Sequence, residues 1–147
     1  MILILMLSFC VFFYAGGTLS AEVSCIAASA AEYPDAFASV REVLNRNAAP
    51  ITFTEASLDD PSGWTLIDVN IILTNRGIFA AEWLNIQPQA VEGDAAVYSL
   101  TGDGTDVPAR STGQVNLKYI TRAGETPRSL AIQYYVYGIS RTIEIHF

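Results

Sequence analysis

Basic side chains are scarce in this sequence. Its 147 residues hold one lysine, Lys118, and seven arginines against fifteen acids, a net charge of −7. Nucleic acid is gripped by clustered Lys and Arg; no such cluster occurs, which excludes nucleic acid as a partner. Histidine is nearly absent. His146 stands alone beside the last residue, with no histidine partner for acid–base work and no companion for a His/Cys metal site. The two cysteines, Cys10 and Cys25, are fifteen positions apart. On a helix that is about 22 Å, against at most about 7 Å between the Cα atoms of a disulfide. They read as unpaired, small apolar residues of a helix. There is no Asn-X-Ser/Thr sequon, nucleophile elbow, phosphate loop or dinucleotide fingerprint. Charged residues make up only 16% of the chain, where about 25% is usual. The length suits one domain and a terminal segment.

What is present begins with an uncharged terminus. From Met1 to Ala21 no side chain carries charge; the first acid is Glu22 and the first base Arg41. The dense apolar part, Met1 to Ala15, matches a signal-peptide core in length and falls short of the roughly 20 residues that span a bilayer. Gly16 to Ala21 bring it near spanning length. Signal peptides and membrane anchors ordinarily open with Lys or Arg, and nothing basic precedes this run. Removal of a basic leader, with Met1 opening the mature chain, accounts for that. Ile26 to Asn47 reads as helix: it is rich in alanine, with Phe37, Val40, Val43 and Leu44 at helical spacing. Pro34 marks a kink or a new first turn, and Asn45, Asn47 and Pro50 an end. The pattern predicts a long apolar N-terminal helix within residues 1–48, serving as anchor or filament core, and a separate domain over 49–147.

Beyond Pro50 the period changes to two. Ile51 and Phe53 alternate with threonines. Ile67, Val69, Ile71 and Leu73 share one face; Leu84 and Ile86 follow, then a strand over residues 95–100. Val115, Leu117 and Tyr119, then Leu130, Ile132, Tyr134 and Val136, and finally Ile143, Ile145 and Phe147 complete the set. Turn residues fall between these runs at 75–77, 102–104, 123–125 and 138–140. The fold class expected is α+β: a long N-terminal apolar helix followed by an antiparallel Ig-like β-sandwich of about seven strands.

Chemistry-bearing clusters are few. Asp59 and Asp60 read as turn formers. Asp103 and Asp106, with Asp94, are a fragment of a calcium pattern and no more. Trp83, Tyr135 and Tyr137 fall on outward positions and offer a contact patch, since exposed aromatics favour interfaces. No catalytic, cofactor-binding or metal-ligating residue is nominated, and the chain reads as a non-enzyme.

The layout resembles the archaeal type IV pilin and archaellin superfamily in architecture: the apolar Met1 to Ala21, its helical continuation to about Asn47, and the strands from Ile51 to Phe147. Segments such as DVNIILTNRG (68–77) and VPARSTGQVNLKY (107–119) look like short extracellular Ig-like modules. Leu5 stands where bacterial type IV pilins carry Glu. The resemblance implies a structural subunit of an extracellular filament at the cell surface, membrane-inserted before assembly, whose partners are copies of itself. The assembly residues would be Met1, Ile2, Leu3, Ile4, Leu5, Met6, Leu7, Phe9, Val11, Phe12 and Phe13, because so many apolar side chains are stable only in lipid or among their own kind. Two other readings fit the same pattern: a single-anchor accessory subunit of a membrane complex, and a secreted Ig-like binding module whose first residues are a signal.

Overall fold

The computed structural model describes residues 4–8, 10, 19–46, 58–89, 91–101, 106–122, 124 and 126–147. Among these residues seven antiparallel strands form two sheets: β1 (Leu19–Ser29), β2 (Thr65–Asn75), β3 (Glu82–Gln89), β4 (Asp94–Thr101), β5 (Ser111–Thr121), β6 (Ser129–Val136) and β7 (Ile139–His146). One sheet has the order β1-β2-β5-β4 and the other β3-β6-β7. Between them lies the principal core. Ile67, Val69, Ile71 and Leu73 of β2 meet Leu117 and Tyr119 of β5 and Leu130, Ile132 and Tyr134 of β6. The alternation that places them there is legible in the sequence, because successive strand side chains point to opposite faces.

A second, smaller core lies on the outer face of the four-stranded sheet. Leu66 and Ile120, paired across β2 and β5, are covered by the helix α1 (Pro34–Asn45), which contributes Phe37 and Val40, and by Trp64, Leu58 and Ala95. Pro34 sits in the first turn of α1, where its missing N–H costs nothing. A 3₁₀ turn, Ala30–Glu32, links β1 to the helix. Tyr137 and Gly138 join β6 to β7, both with positive φ (51° and 79°), the left-handed pair that a two-residue hairpin of right-handed twist requires.

The sandwich is as expected; the long N-terminal helix is not. Residues 19–29, expected to be helical, form β1, each paired in unbroken register with β2 from Leu19↔Asn75 to Ser29↔Thr65. The physical reason is in the pattern. Leu19, Ala21, Val23, Cys25 and Ala27 alternate with Ser20, Glu22 and Ser24, and β2, buried on its inner face, gains a complete ladder from a neighbour there. Alanine content, which favours helix, was outweighed by this pairing. Of the helix expected over residues 19–48, the described residues keep the 3₁₀ turn and α1, Pro34–Asn45.

Of the nominated assembly residues, Ile4, Leu5, Met6 and Leu7 lie in a short helical stretch over residues 4–8 and are exposed. Met1, Ile2, Leu3, Phe9, Val11, Phe12 and Phe13 fall outside the described residues, as do the strand expected at 51–54 and the turn at 102–104. Among the described residues no helix is long and apolar enough to cross a membrane. The strand β1, standing where the long helix was expected, overturns the filament subunit and the membrane anchor built on that helix, together with the membrane-inserted, cell-surface placement derived from them.

Candidate functional site

Among the described residues four strand edges bound the two sheets, and three are blunted. β3 carries a bulge where Trp83 and Leu84 face a single residue of β6, and it contains Pro88. The register of β4 shifts between Asp94 and Ala96. β7 places Arg141 at an inward-facing position opposite Tyr134. Bulges, prolines and inward charges are the ordinary means of stopping unwanted pairing. β1 has none of them. Its eleven residues include no proline and no base, its single charge is Glu22, and among the described residues it pairs only with β2. Among the described residues nothing pairs with the outward-pointing N–H and C=O groups of β1.

A cleft opens on each face of this edge. The inner one, about 520 Å³, is lined by Cys25, Ala27 and Ser29 of β1, Ile67 of β2, Pro127, Arg128 and Phe147. It exists because β1 presents small side chains inward, too short to cover the margin of the main core. The outer one, about 220 Å³, is lined by Ile26, Ala28, Tyr33, Ala36 and Leu66, with the Asp68–Lys118 ion pair at its margin. Ile26, at its rim, is 70% exposed. Further along β1, Leu19, Ala21 and Val23 face Ile143 and Ile145 across a recess between the two sheets.

The inner cleft is braced by a buried ion pair. Arg128 Nη2 donates to Asp94 Oδ1 (2.7 Å) and Thr121 Oγ1 (2.9 Å), Nε to Asp94 Oδ2 (3.3 Å), and Nη1 to the Thr126 carbonyl (2.9 Å). Its backbone N–H and C=O both bond to Phe147 at 2.9 Å. The guanidinium is thus spent on internal partners, and the cleft wall is neutral. Burial pushes the Cys25 thiol above its ordinary range, with Arg128 opposing and Asp68 adding to the shift. Burial, then Asp94, raises the Tyr119 phenol beyond the usual tyrosine range; among the described residues its hydroxyl has no hydrogen-bond partner. A neutral thiol is a poor nucleophile, so this cleft is suited to apolar contact.

Other sequence candidates have local duties. Asp94 is buried with Arg128, and Asp106 Oδ1 accepts from the Trp83 backbone N–H at 2.9 Å; Asp103, the third acid of the calcium fragment, lies outside the described residues. Asp60 closes a turn by accepting from Ser62 N–H at 2.9 Å, which lowers its carboxyl pKa. Among the described residues no three His, Cys, Asp or Glu side chains lie together as metal ligands would. Cys10 and Cys25 are both free, but Cys25 lies on a strand at the inner cleft, not on a helix. His146 is exposed on β7. Trp83 and Tyr137 are both 68% exposed. Trp83 meets Tyr135 edge-on and Tyr137 meets Phe79, the ring centroids 5.6 and 5.2 Å apart. The β1 edge itself was missed in the sequence; the Ser20, Glu22, Ser24 alternation was the available signal.

No protein-family model and no curated protein sequence matches the chain. Among solved structures, a crystal structure of the yeast GGA1 GAE domain is similar at a TM-score of 0.46 and 9% identity. The match covers 56% of this chain and 77% of that one.

Proposed function

We propose that the protein is a recognition module that captures an extended segment of a partner protein by strand addition to β1. The observation that carries this reading is an edge strand without bulge, proline or base, unpaired on its outer side among the described residues, with a cleft on each of its faces. A strand laid along β1 makes main-chain hydrogen bonds to the edge while its side chains alternate between the two faces. One set enters the inner cleft beside Cys25, Ala27 and Ile67, the other the outer cleft beside Ile26, Tyr33 and Leu66. Main-chain bonds supply affinity without sequence preference, and the clefts supply preference for small or medium apolar side chains. Charge points the same way: a second copy brings another −7 body to the edge, so a neutral or basic segment of a different protein is favoured.

Selection of nine-residue peptides on the immobilised protein, followed by N-methyl scanning of the best binder, tests this. Each ladder bond is worth about 1 kcal/mol net, and the association cost leaves an affinity of roughly 10 µM to 1 mM. Methylation at alternate residues should abolish binding, and methylation between them should be tolerated. Ala27→Arg and Ile26→Lys, which fill the clefts, should each weaken binding at least tenfold with the urea midpoint unchanged. Bound peptide should protect Cys25 from alkylation. N-methyl effects without a period of two, or β1-dependent dimers in place of peptide binding, would overturn the reading.

A further inference from the structure

A second site lies where β2 ends and β5 begins, on a different part of the molecule from the two clefts. Arg76 directly follows β2 and Arg110 directly precedes β5, and both line one open recess with Thr74, Ser111 and Thr112. The register explains the assembly: Thr74 pairs with Thr112 and Asn75 with Ser111, so the two arginines flank the last rung of the ladder. Neither arginine ion-pairs with a described carboxylate, whereas Arg46, Lys118 and Arg128 each have an acidic partner. Two adjacent cations repel one another, and among the described residues the contrast with the three paired cations is sharp in a chain with fifteen acids.

The two arginine-bearing segments are also held in place from below. Asn75, 2% exposed, donates from Nδ2 to the carbonyls of Phe79 (2.8 Å) and Val107 (3.0 Å), while its Oδ1 accepts from Gly77 N–H (2.9 Å). Ala81 and Val107 exchange both backbone hydrogen bonds, at 2.9 and 2.8 Å. One buried amide thus fastens residues 75–81 to residues 107–111, and the juxtaposition of the cations is built into the fold. Arg110 holds a left-handed backbone (φ 55°), a conformation uncommon for a residue with a side chain.

We infer that this recess binds an oxyanion, a carboxylate or a phosphate group, between the guanidinium groups of Arg76 and Arg110, with the hydroxyls of Thr74, Ser111 and Thr112 as further donors. Guanidinium forks match both anions in shape. Each hydroxyl can turn its proton to a remaining oxygen.

The test is a ¹H–¹⁵N titration of the whole chain with inorganic phosphate and, separately, with glutarate, sodium chloride holding the ionic strength fixed. Saturable shifts at Ser111, Thr112 and the Nε–H groups of Arg76 and Arg110 are expected for at least one anion. Tighter phosphate binding marks a phosphorylated ligand, and tighter glutarate binding a carboxylate; either supports the site. Arg76→Gln and Arg110→Gln should each weaken the affinity at least tenfold. Arg41→Gln, the same charge change on α1, should leave it unaltered. Absence of saturation with both anions, or an equal loss in Arg41→Gln, overturns the inference.

Discussion

Replacing Asp94 by alanine tests the bracing of the inner cleft. The side chains of Arg128 and Asp94 are 3% and 0% exposed, so the substitution strands a guanidinium where water does not reach it. Two of its four hydrogen bonds, at 2.7 and 3.3 Å, disappear. Breaking a buried pair from one side costs about 3–5 kcal/mol, because the remaining charge stays desolvated. With a urea dependence of about 2 kcal/mol per molar, the midpoint should fall by roughly 1.5–2.5 M. The exposed Arg46–Glu42 pair on α1, with side chains 72% and 61% exposed, is the control: Glu42→Gln should cost under about 0.5 kcal/mol. Removing both charges, Asp94→Ala with Arg128→Met, should recover at least about 1 kcal/mol relative to Asp94→Ala alone, since no unpaired ion remains. Equilibrium urea unfolding followed by tryptophan fluorescence measures all four proteins. A midpoint shift for Asp94→Ala no larger than that of Glu42→Gln, or a double variant less stable than the single, would refute the argument.

Three further outcomes are expected. A methyl group at Gly113 would lie 2.8 Å from Val107 Cγ2; Gly113→Ala should therefore destabilise by about 1–3 kcal/mol, and Val107→Ala in the same chain should relieve part of the loss, as a thermal-melt cycle would register. Phe37→Ala opens a void beneath α1, where the ring is 3% exposed, and should cost about 3–5 kcal/mol, read from the urea midpoint. Tyr119 keeps its proton more tightly when folded than when unfolded. Its contribution is therefore complete below the ordinary tyrosine value near pH 10 and is lost as pH rises beyond it. Absorbance titration of the phenols should show this one ionising only with unfolding, and normal titration in the folded protein would contradict its burial.

Much of the sandwich was legible in the sequence because it depends on a local rule. Ile67 to Leu73, Val115 to Tyr119 and Leu130 to Val136 alternate cleanly, and a strand with one buried face must do so. The inward positions of Leu84, Ile86 and Ile145 follow from the same rule. Residues 19–29 obey it as well, but with alanines and serines, whose small side chains give a weak contrast between faces. Next to an uncharged run and an alanine-rich stretch they read as helix. Turn residues in the sequence point to 138–140 for the hairpin after β6, one residue late: the left-handed pair is Tyr137 and Gly138, and Tyr137 has no turn preference of its own.

Periodicity and a count of charges were enough for the antiparallel strands after β1, the identity of most core residues and the acidic balance of the chain. Tertiary structure alone decided which strand lies at an edge, and so which edge is open. It also decided that Asp94, thirty-four positions from Arg128, neutralises it, and that Arg76 and Arg110 share a recess. These are pairings between distant segments, set by the order of strands in a sheet and by register, and no local pattern encodes them.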